Sequence, residues 1–275
     1  MRITANEIRQ FSAWLTAGEK SAATIEKYTR EAERFSRWLA GREPDGASAR
    51  AYKEALSRSP AGVNGAVAAL NCLFSFLGMP EYRLKSVKIQ RQIFRDESRE
   101  LSQAEYRRLL AAAKSTRNER LLLVMETICA TGIRVSELRF ITVGAARRGR
   151  VDVRNKGKIR TVFLPCKLQK VLLRYAKARK IGDGPVFITR SGRPLDRSNI
   201  WADMKRLCRV AGVAETKVFP HNLRHLFART YYDLEKDIVR LADILGHASI
   251  NTTRIYTMET GEVHRRQLEK MRLVI

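Results

Sequence analysis

The sequence predicts a mainly α-helical protein with a small β-sheet, divided into two domains. Three observations predict this. Apolar residues recur at helical spacing through most of the first 80 positions. A basic stretch with no sustained apolar face follows at 84–100. Beyond it, further helical segments flank a compact group of short strand candidates around a glycine-containing turn. At 275 residues, 44% of them hydrophobic, the chain is long enough for two domains of ordinary size.

The first region, 1–83, reads as four helices forming a small bundle. Thr4 with Glu7 makes a capping-box pattern ahead of Ile8, Phe11 and Leu15. Ile25, Tyr28, Ala32, Phe35 and Leu39 space a second helix, which the Gly41 to Gly46 stretch with Pro44 breaks. Ser48 is the expected cap of a third helix carrying Tyr52, Ala55 and Leu56. A fourth runs from Pro60 to Leu77 with Val63, Val67, Leu70 and Phe74 inward, and Gly78 ends it.

The second domain opens at Ser102 with Glu105, another capping-box pair. A strongly apolar helix follows from Glu119 to Ala130. Arg139 to Val143, Arg150 to Arg154 and Arg160 to Leu164 are strand candidates, the last two joined by the turn Asn155-Lys156-Gly157-Lys158. Helices are then expected over Lys167–Ile181, Arg197–Ala211, Asn222–Tyr232 and Ile238–Leu245, with a short one from Ser249 to Tyr256. Val186-Phe187-Ile188 reads as a lone short strand. There is no internal repeat and no low-complexity region.

Charge gives the first functional indication. Fifty-three Lys and Arg against 28 Asp and Glu leave a formal net charge of +25. Such an excess attracts polyanions, and more strongly at low salt. Ribosomal proteins, RNA enzymes and membrane-surface proteins share it, but no basic amphipathic segment of the membrane type is present, so nucleic acid is the expected partner. In that setting Lys85, Lys88, Arg91, Arg95 and Arg99 have two compatible readings: a solvated interdomain linker, and a strap lying along DNA phosphates. No run of 18 apolar residues exists, and the N-terminus lacks the basic-then-apolar pattern of a secretion signal. The four cysteines, Cys72, Cys129, Cys166 and Cys208, make no CxxC pair and read as reduced thiols of a cytosolic protein. A zinc site is not expected, nor are there clustered carboxylates suited to Mg²⁺.

Four segments concentrate residues suited to phosphate chemistry. Ala130-Thr131-Gly132-Ile133-Arg134-Val135-Ser136-Glu137-Leu138 sets an arginine just past a helix-ending glycine. The hairpin turn supplies Lys156 and Lys158. Pro220-His221-Asn222-Leu223-Arg224-His225 puts His221 and Arg224 three apart at a helix start, on one face, where the helix N-terminus favours an anion. Leu245-Gly246-His247 and Thr252-Thr253-Arg254-Ile255-Tyr256 end the series. Singly, each has an ordinary reading: a surface arginine, a capping histidine beside a solvated arginine, a tyrosine packed by its ring. Together they are what in-line attack on a phosphodiester needs without a metal. Arginine forks match the charge gathering on the non-bridging oxygens. A phenol with a pKa near 10 needs a hydrogen-bonding base such as histidine. A lysine with lowered pKa can protonate the departing 5′-oxygen.

The motifs ATGIRVSEL, NKGKIR, HNLRH and LGHASINTTRIY, in this order and spacing, resemble the tyrosine recombinase (phage integrase) family over essentially the whole chain. The resemblance implies a helical SAM-like core-binding domain at 1–83, a basic linker at 84–100, and an α+β catalytic domain with a C-terminal tail at 101–275. It implies site-specific recombination through a 3′-phosphotyrosine intermediate and a Holliday junction, for integration, excision or dimer resolution, with no cofactor. Arg134 and Arg224 would clamp the phosphate, Lys156 would be the general acid, His221 and His247 would hydrogen-bond and exchange protons, and Tyr256 would be the nucleophile. Lys158 is the weaker candidate for the lysine role, and with Lys85, Lys88 and Arg91 it is a candidate DNA contact. Glu137 is expected to order the arginine-bearing turn, and His225 and His264 to be structural or surface residues.

The implied partners are double-stranded DNA with paired inverted sites, sister copies forming a tetramer on two duplexes, and an accessory directionality protein. The implied location is the cytoplasm, at the prokaryotic nucleoid. Because the chain starts almost directly on the core-binding helices, its layout is similar to the compact, Xer-like or simple-integron one. The tail beyond Tyr256, with Val263, Leu268, Met271 and Leu273-Val274-Ile275, either docks on a neighbouring protomer or packs on its own domain. A type IB topoisomerase-like enzyme, a non-catalytic DNA-binding protein and a metal-dependent nuclease are the rival readings.

Overall fold

The computed structural model describes residues 2–89, 96–155, 158–258 and 261–273. The chain forms two compact units, Met1–Arg91 and Gln92–Ile275. No described helix is long and apolar enough to cross a membrane.

The first unit is four helices: α1 (Ala5–Ala17), α2 (Ala22–Leu39), α3 (Gly46–Glu54) and α4 (Pro60–Phe76). Thr4 caps α1 in a full capping box with Glu7. The third helix starts earlier than the sequence suggested: Asp45 is its N-cap, and Ser48 is the returning member of the box. Both residue types cap well, and the pair settles with the carboxylate first because it then meets the Ser48 N–H. Phe11, Leu15, Phe35, Leu39, Leu70, Leu73 and Phe74 fill the core. Phe35 meets Phe74 edge-on at 5.9 Å and Tyr52 at 5.1 Å. Full burial of one such side chain stabilises by about 1.5–3 kcal/mol. The Tyr52 hydroxyl and Arg58 both donate to the buried Glu31, at 2.8 and 2.9 Å.

The segment after α4 is held to this unit. Asn71 exchanges hydrogen bonds with the Leu84 backbone, Asn64 with that of Val87, and Lys53 donates to the Lys85 carbonyl. Lys85 and Lys88 are exposed. Arg91 lies outside the described residues.

The second unit is built around α6 (Glu119–Thr131), whose Leu121, Val124, Met125 and Ile128 are buried. Packed with it are α5 (Gln103–Ser115), α8 (Cys166–Ala178), α9 (Arg197–Ala211) and α10 (Pro220–Glu235). A short α7 (Val143–Arg148) ends at Gly149, with φ of 72°, and leads into an antiparallel hairpin of β1 (Arg150–Asn155) and β2 (Lys158–Phe163). Val151, Val153 and Val162 face the core, while Ile159 and Phe163 are exposed. The chain closes with α11 (Ile238–Leu245), α12 (Ile250–Thr253), a 3₁₀ turn over Arg254–Tyr256, and α13 (Gly261–Met271).

Two strand expectations are corrected. Arg139–Val143 is not a strand: a 3₁₀ helix spans Val135–Phe140, and only Thr142 makes a bridge, to Pro185. Leu138, Ile141 and Val143 are buried all the same, so their apolar run records burial, not extension. Val186-Phe187-Ile188 is not alone either. Val186 donates to the Ile141 carbonyl at 2.8 Å, and Ile188 bridges to Pro194.

Candidate active site

The site lies within the second unit, where the ends of α6 and α11, the start of α10, strand β2 and the 3₁₀ turn at Tyr256 meet. α6 stops at Gly132, in the left-handed conformation at φ of 64°. A Cβ there would stand 2.5 Å from the Phe227 ring, so only glycine fits. The turn it makes delivers Arg134. The Arg134 guanidinium donates from Nη1 to Glu137 Oε1 at 3.0 Å and from Nη2 to the Gly246 carbonyl at 3.2 Å. Glu137 also takes the Arg134 backbone N–H at 2.9 Å. Burial opposes ionisation of Glu137, but the hydrogen bonds from Arg160 and from Arg134 outweigh it and hold its pKa below the ordinary value.

Arg224 stands on α10 and is 2% exposed. Its Nη1 donates to the Gly132 carbonyl, and its Nη2 to the Leu245 carbonyl at 2.7 Å. Nη2 also lies 3.2 Å from Nε2 of His247. Burial, with Arg134 nearby, lowers its pKa to about 10, which leaves it protonated at neutral pH.

His247 emerges from the Gly246 turn that ends α11, and its Nδ1 is 2.8 Å from Thr253 Oγ1. Burial and the charges of Arg224 and Arg134 bring its pKa down to about 4. Tyr256 is 5% exposed, in a cluster with Ala228, Leu241 and Leu245. Its ring stacks with His247 at 6.2 Å and takes the edge of His225 at 5.1 Å. Burial raises the phenol pKa, with Arg224 and Arg134 acting in the other direction. His221 is at the mouth of the site, 4.4 Å from the His225 ring. Desolvation among these groups, then the charges of Arg224, Arg134 and Arg197, lower its pKa.

Of the sequence-derived candidates, Arg134, His221, Arg224, His247 and Tyr256 therefore converge on one place. Lys156 lies outside the described residues, as does the side chain of Lys158, whose backbone opens β2. His225, expected to be structural or at the surface, packs between His221 and Tyr256, and its pKa falls to about 4 through burial and then the His221 and Arg224 neighbours. Its place at i+4 from His221 was the available signal. Two residues that the sequence did not single out also belong here. Thr253, fully buried, holds the His247 ring, and Arg160 holds Glu137. Among the described residues no group of three His, Cys, Asp or Glu side chains is arranged to hold a metal. The arrangement brings two guanidiniums, three imidazoles of lowered pKa and a buried phenol together, a combination suited to a phosphodiester.

The chain is similar to known proteins over most of its length. The pattern of the Phage integrase family matches residues 99–262. Tyrosine recombinase XerA of Pyrococcus furiosus is 30% identical over an alignment covering 97% of this chain and 94% of its own length. A crystal structure of XerA recombinase, 26% identical, covers 98% of this chain and 99% of that one with a TM-score of 0.54. A lambda integrase tetramer bound to a Holliday junction has the same fold at 17% identity, with a TM-score of 0.73 over 91% of this chain and 76% of that one.

Proposed function

Since this chain belongs to the phage integrase family of tyrosine recombinases, we propose that Tyr256 is its nucleophile, with Arg134 and Arg224 clamping the scissile phosphate. The protein is a site-specific DNA recombinase, which cleaves and rejoins DNA through a 3′-phosphotyrosine intermediate and exchanges strands via a Holliday junction. One observation carries the assignment of residues. The buried Arg224 is hydrogen-bonded to carbonyls and set against His247, whose ring stacks on Tyr256.

In the forward step the Tyr256 oxygen bonds to phosphorus and the bond to the 5′-oxygen breaks. The tyrosyl proton passes to the imidazole of His247, whose ring stacks on Tyr256, with His221 at the mouth. Arg134 and Arg224 stabilise the charge gathering on the non-bridging oxygens. Lys156 supplies the proton to the leaving 5′-oxygen, as in the family pattern. Attack by a 5′-hydroxyl of the partner strand reverses every transfer and frees Tyr256.

The first unit, with Lys85, Lys88 and Arg91 beyond α4, is the core-binding domain, and the second the catalytic domain. Lys158 at the start of β2 adds a further DNA contact. The assembly is a tetramer on two duplexes carrying paired inverted sites, linked by α13, whose Leu268 and Met271 are exposed. An accessory directionality protein sets the direction where one is required. The reaction takes place in the cytoplasm, at the nucleoid.

A nicked suicide substrate tests the assignment. The native protein should accumulate a denaturant-resistant, protease-sensitive adduct, undiminished in excess EDTA, and Tyr256→Phe should bind the same DNA and form none. An adduct in Tyr256→Phe, or a cleavage activity that only Mg²⁺ restores, refutes it.

A further inference from the structure

Arg160, on one of the segments that build the site, touches two others, the Glu137 turn and the Gly246 turn. From β2 its guanidinium grips Glu137 with two parallel hydrogen bonds, Nη1 to Oε1 at 2.9 Å and Nη2 to Oε2 at 2.7 Å. The same two oxygens receive Arg134, through its Nη1 at 3.0 Å and its backbone N–H at 2.9 Å. The Arg160 stem lies on Gly246, where a Cβ would stand 2.6 Å from its Cδ, and the Gly246 carbonyl is the second acceptor for Arg134. Side-chain exposure is graded along the chain of contacts: 30% for Arg134, 13% for Arg160 and 3% for Glu137.

We propose that Arg160 is a positioning residue that aims Arg134 and keeps its charge available to the scissile phosphate, an inference that rests on the recombinase reading above. Two physical arguments carry it. The first is charge. Glu137 paired with Arg134 alone would be neutral at close range, and the field of Arg134 at the phosphate would be largely cancelled. One carboxylate between two guanidiniums leaves one positive charge, and the outer, more exposed guanidinium presents it. The second is geometry. A carboxylate held by a bidentate fork cannot rotate, so the Nη1 of Arg134 has one direction in which to point. With its Nη2 on Gly246, the remaining N–H groups of Arg134, out of the five a guanidinium carries, are left for phosphate oxygens. Arg160 itself is poorly placed for DNA, because both Nη atoms are turned to Glu137 and its Nε is enclosed without a hydrogen-bond partner among the described residues. Arg160 also ties β2 to Glu137, so the strand leaving the lysine-bearing turn and the arginine-bearing turn are set by one carboxylate.

The test is single-turnover cleavage of the suicide substrate by the full chain at saturating protein, with DNA affinity and melting temperature measured on each variant. Arg160→Gln should slow cleavage by about 10- to 100-fold, the scale of a misplaced catalytic group, with DNA affinity unchanged. In an Arg134→Lys background the same change should cost little more, because the residue it acts through is already altered. The double variant Glu137→Gln with Arg160→Gln should recover much of the lost rate, since no carboxylate then cancels Arg134; lost packing alone predicts no recovery. Multiplicative losses with Arg134→Lys, or no recovery in the Glu137→Gln double variant, overturns the proposal. Arg160→Lys, which keeps the charge and loses the fork, covers the case in which Arg160→Gln does not fold. It should be slowed several-fold, and a native rate there overturns the geometric role. Absence of an adduct in the native protein is a different failure, that of the recombinase reading itself.

Discussion

Nε2 of His247 lies 3.2 Å from Nη2 of Arg224, and Nδ1 of the same ring lies 2.8 Å from the Thr253 hydroxyl. A guanidinium only donates. Nε2 therefore accepts, and the ring proton sits on Nδ1 and is donated to Thr253. His247 is thus a neutral imidazole with a fixed tautomer, in keeping with its pKa of about 4. Such a ring can take a proton on Nε2 only when Arg224 turns away from it, and it has none to give from Nε2 until it has received one.

The histidines make stability depend on pH. His225 and His247 titrate near 4 in the folded chain, against an ordinary value of 6.5. Between those values the unfolded chain binds more protons. The stability they contribute is then fully present above about 6.5 and is lost as pH falls toward 4. Melting temperature should decline on acidification through this window, and less steeply in His225→Asn. A flat profile from pH 7 to 4.5 contradicts the burial of neutral imidazoles at the site.

Arg224→Lys keeps the charge but cannot span the Gly132 carbonyl, the Leu245 carbonyl and His247 at once. Cleavage should fall by about 100-fold or more, as for a lost oxyanion donor. Each carbonyl left unpaired should cost about 1–3 kcal/mol of stability. Single-turnover rates with melting curves measure both, and a near-native rate denies Arg224 its role as a clamp.

Gly132→Ala meets two obstacles: the positive φ of 64° and a Phe227 ring 2.5 Å from the new Cβ. We expect a loss of about 1–3 kcal/mol, partly relieved when Phe227 is also made smaller. Cleavage should fall more than stability alone explains, because the Gly132 carbonyl holds Arg224. Denaturant melts of the single and double variants decide this, and an unchanged midpoint in Gly132→Ala is the contrary result.

Ending the chain before α13 should leave the melting temperature nearly unchanged, because Leu268 and Met271 are exposed in that helix. Cooperative occupancy of paired sites and recombination should drop further than cleavage at a single site. A large fall in melting temperature with cooperativity intact would instead place the tail on its own domain.

Much of this was legible in the amino-acid order. Helices α1, α2, α4 and α6 announce themselves through apolar spacing, and α1 also through its Thr4–Glu7 capping box. The positions of Arg134, Arg224, His247 and Tyr256 follow from glycine stops and helix starts, which are local signals. What the sequence hid is what depends on distant partners. Arg160 occupies a position between Ile159 and Thr161 that strand alternation reserves for an apolar residue, and its partner Glu137 is 23 positions away. His225 gains its place only when the turn at Tyr256 docks against α10. The run from Arg139 to Val143 reads as a strand because period and burial look alike over five residues.

Arg224 donates to backbone carbonyls at two helix ends. The two carbonyls it holds are those at the C-termini of α6 and α11, each of which carries roughly half a negative charge by the alignment of its peptide dipoles. Two such ends facing one guanidinium come near to balancing it, and neither can take up a proton. An acidic counter-ion would release its partner on acidification, whereas aligned peptides keep theirs at acid pH for as long as the helices exist. The setting of this guanidinium is therefore a property of the folded backbone, and loosening the last turn of either helix would unsettle it without any change of side chain.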